Sequence, residues 1–161
     1  MTALAGEIGK ICAYSGADVI CKNDIDAVTE PVLDAVVFDM TELMSSGQYG
    51  KAMLKLDQLK KMQQEPLAIL GAISMHFRKL GAAKILRNSG KNSGDMMRLY
   101  GGSEYGAKRT MDAAGKFSTT FYENAAKWIL ETDYRIKTSG DDPDRLIELL
   151  VMKLAQEARN G

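Results

Sequence analysis

Residues 66–87 read PLAILGAISMHFRKLGAAKILR. Within them Leu70, Ile73, Phe77, Leu80 and Lys84 recur three or four positions apart, the spacing that lines one face of an α-helix. Pro66 opens the run, at a position where a missing N–H costs no helical hydrogen bond. Ile69 and Met75 widen the apolar stripe, so this helix is expected to be central and covered from more than one side.

The pattern repeats outward in both directions. Downstream, Ser93 is read as the cap of a short helix through Met96, Met97 and Leu99, stopped by Gly101 and Gly102. Ser103 caps the next, which carries Tyr105, Ala107, Met111 and Ala114 to Phe117. Ser118 starts a long helix with Phe121, Ala125, Trp128, Ile129, Thr132 and Ile136 inward. Pro143 opens the last, with Leu146, Leu149, Leu150, Lys153 and Leu154 on one stripe. Upstream, Gln48 to Met62 is amphipathic through Tyr49, Ala52, Met53, Leu56 and Leu59. Asp34 is placed as the cap of a helix bearing Val37, Met40, Leu43 and Met44, which ends at Gly47. Two further helices are expected, over Thr2–Tyr14 and from Asn23 to near Pro31. Strict apolar/polar alternation persists nowhere, so the fold class is all-α, a helical bundle. Leu70, Ile73, Phe77, Leu80, Phe121, Ala125, Trp128, Ile129 and Leu150 are expected in its core.

Composition agrees with packed helices. The 161 residues are 45% hydrophobic and 26% charged, a globular balance, with ten Met and few aromatics. The 21 basic and 21 acidic residues cancel, which argues against a dedicated nucleic-acid binder. His76 to Lys116 is nevertheless basic, nine Lys/Arg against three Asp/Glu. It reads as a solvated face or a contact between subunits; the alternative is a helical DNA-binding regulator. Cys12 and Cys21 are too few and isolated for a disulfide framework or zinc site, and read as reduced thiols. No apolar run approaches the roughly 20 residues that span a bilayer, and no secretory signal is visible, so the cytoplasm is the expected compartment, with no membrane partner.

Nothing in the sequence assembles a catalytic centre. Gly90-Lys91-Asn92-Ser93-Gly94 has a faint likeness to a phosphate loop, but a helix precedes it and Lys91 is not followed by Ser or Thr, so it reads as an interhelical turn. His76, the single histidine, has no evident partners for base or metal chemistry. Asp141, Asp142 and Asp144 stand before a helix start and read as caps rather than cation ligands. Catalytic, cofactor and metal residues are therefore all expected to be absent. Ile69, Met75, Met96, Met97 and Met152 exceed what one small interior can take, so part of them should form a contact surface, with Met97 and Met152 the candidates.

With the helices placed, a family pattern is visible. Glu7-Ile8-x-Lys10-Ile11-x-x-Tyr14, Ile20 and Asp24-Ile25 resemble the end of a lid domain of the AAA+ type. Val37-Phe38-Asp39, Gly47-x-Tyr49-x-Lys51-Ala52, Leu56-x-x-Leu59, Pro66-Leu67-x-Ile69-Leu70 and Phe77-Arg78-x-Leu80 follow. Thr132-Asp133-x-x-Ile136-Lys137-Thr138 and Leu146-Ile147-Glu148-Leu149-Leu150 close it. In this order they resemble the C-terminal half of the delta subunits of bacterial DNA polymerase III, a component of the clamp loader that opens the sliding clamp and places it on primed DNA. The resemblance covers essentially the whole chain. It implies a partial lid domain over residues 1–34 and a helical collar domain over 35–161, without the ATPase-like domain that grips the clamp. It also implies a non-catalytic oligomerisation role with no cofactor. The partners would be loader subunits of the gamma/tau and delta-prime types. The sliding clamp would be met only through the missing domain, and DNA indirectly. Asp133 and Lys137, one turn apart, would then be structural residues at an interhelical junction.

Overall fold

The computed structural model describes residues 33–61 and 64–160, together with Gly6, Ile8, Gly9, Cys12 and Ala13. The chain divides into two compact units, Met1–Val32 and Leu33–Gly161. In the first, the five described residues are helical and exposed, Cys12 among them. The remainder of the expected Thr2–Tyr14 helix, the helix near Asn23, and Cys21 lie outside the described residues.

The second unit holds seven helices and, among the described residues, no strand: α1 (Leu33–Ser45), α2 (Tyr49–Lys61), α3 (Pro66–Asn88), α4 (Ser93–Tyr100), α5 (Glu104–Ala114), α6 (Thr119–Thr138) and α7 (Pro143–Asn160). Their ends follow from local chemistry. After α1, Gln48 N–H reaches the Leu43 carbonyl and Gly47 N–H that of Met44, with Gly47 at φ 72°. The same crossed pair closes α3, from Lys91 to Leu86 and Gly90 to Arg87. Both are glycine-dependent Schellman endings. Ser103 and Ser118 accept from Gly106 N–H and Phe121 N–H, as their positions predict. Asp142 accepts from Asp144 N–H at the start of α7, so the aspartate cluster does contain a cap.

Three boundaries differ from expectation. The α4 cap is Asn92, not Ser93: Asn92 Oδ1 accepts from Gly94 N–H at 2.8 Å while Asp95 accepts from Asn92 N–H at 3.1 Å. This reciprocal arrangement needs an acid three residues on, which Asn92 has in Asp95. The α1 helix already includes Asp34 in its first turn. α5 stops at Ala114 rather than Phe117.

α3 is the hub. It packs against α1, α4, α5, α6 and α7, while α1 pairs with α2 and α6 with α7. Its buried residues Ile69, Leu70, Ala72, Ile73, Phe77, Leu80 and Ala83 spread over much of its circumference, which explains the widened stripe. All nine expected core residues are buried except Trp128, which is partly buried against the core edge. Phe77, Phe117, Phe121 and Tyr122 form an aromatic knot, with Phe117 and Phe121 stacked at 4.3 Å. On α7 the face is rotated from expectation: Leu146, Ile147, Leu150, Val151 and Leu154 are buried, while Leu149 is exposed.

The C-terminal end of α5 is closed by neighbours. Arg87 Nη1 from α3 donates to the Met111 carbonyl at 3.0 Å, and Tyr122 Oη from α6 donates to the Ala114 carbonyl at 3.1 Å. Gly115 permits the first contact, since a Cβ there would stand 2.6 Å from Arg87 Nη1.

Candidate assembly surface

Among the described residues no three His, Cys, Asp or Glu side chains are placed to hold a metal ion. No described helix is long and apolar enough to cross a membrane. His76 is half-buried between the rings of Phe38, at 5.3 Å, and Phe77, at 5.8 Å, an edge-on packing position. The 90–94 stretch is the α3–α4 turn with its capping box.

Four of the nine basic side chains of the basic segment are engaged within the chain. Arg109 lies 3.8 Å over the Phe38 ring and pairs with Glu42 at 3.1 Å; Lys116 reaches the same carboxylate at 3.7 Å. Arg98 pairs with Asp95 inside α4, and Arg87 is held on α5. The Arg109 and Arg87 contacts tie α5 to α1 and α3.

An open concavity of about 680 Å³ lies between α3 and α6. Leu67, Gly71, Ser74, Arg78, Ala82 and Ile85 come to it from α3; Tyr122, Ala126, Ile129, Leu130 and Asp133 come from α6. It is open and apolar, and its rim is exposed: Leu130 at 70%, Ile85 at 65%, Leu67 at 45%. Tyr134 on α6 is also exposed, as are Leu149 and Met152 on α7. So many large apolar side chains on one small unit exceed the scattered ones that need no explanation.

The residues singled out from sequence fall in different surroundings. Lys137 Nζ donates to Asp133 Oδ2 at 2.7 Å, one turn apart on α6, and both groups are partly open to solvent. Asp133 also lines the groove. Met152 is exposed, but Met97 is partly buried against the core, and Ile69 and Met96 are buried outright. Only Met75 and Met152 of the five surplus apolar residues are therefore left outside. The groove itself had no direct signature, although Gly71 and Gly81 inside a long helix were a hint. Helical glycine costs about 1 kcal/mol relative to alanine, and an added Cβ on Gly71 would meet nothing within 4 Å.

Two ion pairs join α2 to α7 and α1. Lys60 on α2 pairs with Glu148 on α7, and Lys55 with Asp39 on α1 at 3.2 Å. Burial works against the Lys60 charge, but the Glu148 hydrogen bond and the charges of Glu148, Asp144 and Asp57 outweigh it and raise its pKa. Arg135 and Ser139 hydrogen-bond Asp141 and hold its carboxyl below the ordinary value.

The bundle of seven helices packed around the long α3 has the fold of a solved clamp-loader delta protein. The solved structure of the Bacillus subtilis DNA clamp loader delta protein superposes with a TM-score of 0.83 at 22% identity, covering 97% of this chain and 46% of that one. The family model for the C-terminal domain of the DNA polymerase III delta subunit matches residues 34–154, and the chain belongs to that family. The Bacillus subtilis DNA polymerase III subunit delta is 23% identical over 155 residues, 96% of this chain. The chain spans about half the length of that relative, 45% of it.

Proposed function

We propose that this chain is the collar module of a clamp-loader delta subunit: it holds the subunit to its neighbours and leaves the chemistry of loading to other parts of the complex. In this reading residues 35–161 are the collar and residues 1–34 belong to a lid. The gamma/tau-type and delta-prime-type subunits are the partners, in the cytoplasm. Family membership supports the setting. The observation that carries the role is the exposed apolar surface of the second unit, led by Leu130, Ile85, Tyr134 and Met152. Burial of such a surface is worth about 25 cal/mol per Å², enough to drive association once the ordering cost is met. Asp133 and Lys137 act locally: an exposed pair of this kind contributes about 0.3–0.5 kcal/mol. Met152 is the better probe of the contact surface, because a charge at Met97 would also disturb the core.

The test is co-purification of the chain with gamma/tau-type and delta-prime-type subunits, alongside binding to duplex DNA across a salt series. Stable complexes with the subunits and no salt-steep DNA binding are expected. Binding to no loader subunit, or tight DNA binding by the chain alone, overturns the collar role.

A further inference from the structure

The α3–α6 groove is more specific than an apolar patch. On α3, Leu67, Gly71, Ser74, Arg78, Ala82 and Ile85 follow a spacing of three and four, so one continuous stripe runs along its wall. Over 19 residues at 1.5 Å each the stripe is about 28 Å long, the length of a five-turn helix. Both walls are helices whose backbone groups are already paired. They offer no N–H or C=O ladder to an extended peptide, so an occupant of this length must satisfy its own backbone, as a helix does. Gly71 and Ala126 keep the floor low enough for a helical backbone to approach closely.

Charge narrows the occupant further. Asp133 already has its cation, Lys137, at 2.7 Å. Arg78 is exposed, lines the groove, and has no ion pair or side-chain hydrogen bond among the described residues. Docking an apolar helix would strip water from this guanidinium, and a charge desolvated without a partner opposes binding strongly. A ligand that fits must therefore supply a carboxylate beside its apolar stripe, where the planar guanidinium can take it bidentately.

From this we propose that the α3–α6 groove docks an amphipathic helix of a neighbouring subunit, whose apolar stripe carries one Asp or Glu placed to meet Arg78. The identity of that neighbour as a loader subunit rests on the collar role above; the groove chemistry does not.

Two variants separate docking from folding. Arg78→Glu reverses the unpaired charge at an exposed position. Gly71→Met fills the groove floor while replacing a helical glycine, so it should keep or raise thermal stability. Binding to the gamma/tau-type and delta-prime-type subunits is measured by calorimetry for the parent, both groove variants and Met152→Asp. We expect each groove variant to weaken one partner at least tenfold with melting temperature maintained, and an acid-to-Arg change in that partner's helix to restore Arg78→Glu. Parent-like binding by both groove variants overturns the proposal while leaving the collar role standing. If the parent binds no loader subunit, the collar role falls and the groove is tested alone. The probes are then two 18-residue amphipathic peptides that differ only by Glu or Lys within the leucine stripe, followed by fluorescence anisotropy. Tenfold preference for the Glu peptide, abolished by Arg78→Glu, supports the groove; equal or absent binding overturns it. Self-association of the parent that disappears in Arg78→Glu also overturns it, by assigning the groove to a second copy.

Discussion

Tyr122 joins three roles in one side chain. Its ring packs edge-on to Phe121 and Phe117, its edge lines the groove, and its hydroxyl closes α5 through the Ala114 carbonyl. Burial raises the phenol pKa well above its ordinary value. The unfolded chain then loses this proton near pH 10 while the folded one keeps it, so stability falls as pH rises above about 10. Lys60, also raised, acts in the same direction, because its pairing with Glu148 is fully present below the unfolded lysine pKa and is lost above it. Tyr122→Phe should cost about 1 kcal/mol at neutral pH, the value of one buried hydrogen bond. It should also make the decline of stability between about pH 10 and 12 shallower. Urea unfolding across that range checks both. Equal slopes in the two proteins would mean that the phenol does not carry the alkaline loss.

At the scale of elements, the helix ends were mostly legible and the helix faces less so. Pro66, Ser103, Ser118 and Pro143 mark starts through backbone chemistry that acts within a few residues. Of the three boundaries that differ, Asn92 for Ser93 turned on Asp95 completing a box only for Asn92. Asn92→Ala should therefore cost about 1 kcal/mol, and Ser93→Ala only a few tenths, in thermal unfolding. Comparable losses in both would return the cap to Ser93. Faces were harder where apolar residues surround a helix. In α7, Leu146 to Met152 is nearly unbroken apolar sequence, so Ile147 inward and Leu149 outward was decided by α1, α2, α3 and α6, not by local spacing. The same holds for Ile69 and Met96, buried because a neighbour happens to cover them.

For the whole of the second unit, order should follow position around α3. That helix touches five others, whereas α4 has eight residues, one buried side chain, and neighbours only in α3 and α5 above the weakest contacts. Native-state hydrogen exchange should be slowest in the middle of α3, around Ile73 to Leu80, and at least tenfold faster in α4. Equal protection in the two would place the hub elsewhere. The groove belongs to this scale too. It needs α3 and α6 side by side, a relation that no spacing within either helix announces, whereas Asp133 and Lys137, neighbours on one helix, were legible at once.

The closing of α5 by Arg87 and Tyr122 bears on which parts of this chain could exist apart. Between α5 and α6 the backbone passes through only Gly115, Lys116, Phe117 and Ser118. Gly115 and Lys116 lie on the surface, so the link looks like a place where the chain could be divided into two pieces. The helix before it, however, ends on donors that belong to its neighbours, and Phe117 within the link is itself stacked in the core. A chain severed after Lys116 would keep α5 seated, since Arg87 and Tyr122 hold the Met111 and Ala114 carbonyls while Gly115 and Lys116 N–H hold those of Asp112 and Ala113. Conversely, a piece ending at Ala114 would lack the Tyr122 hydroxyl and both stacked phenylalanines. Covalent continuity and structural completeness part company at that point: the peptide there is dispensable to the shape, and the residues on its far side are not.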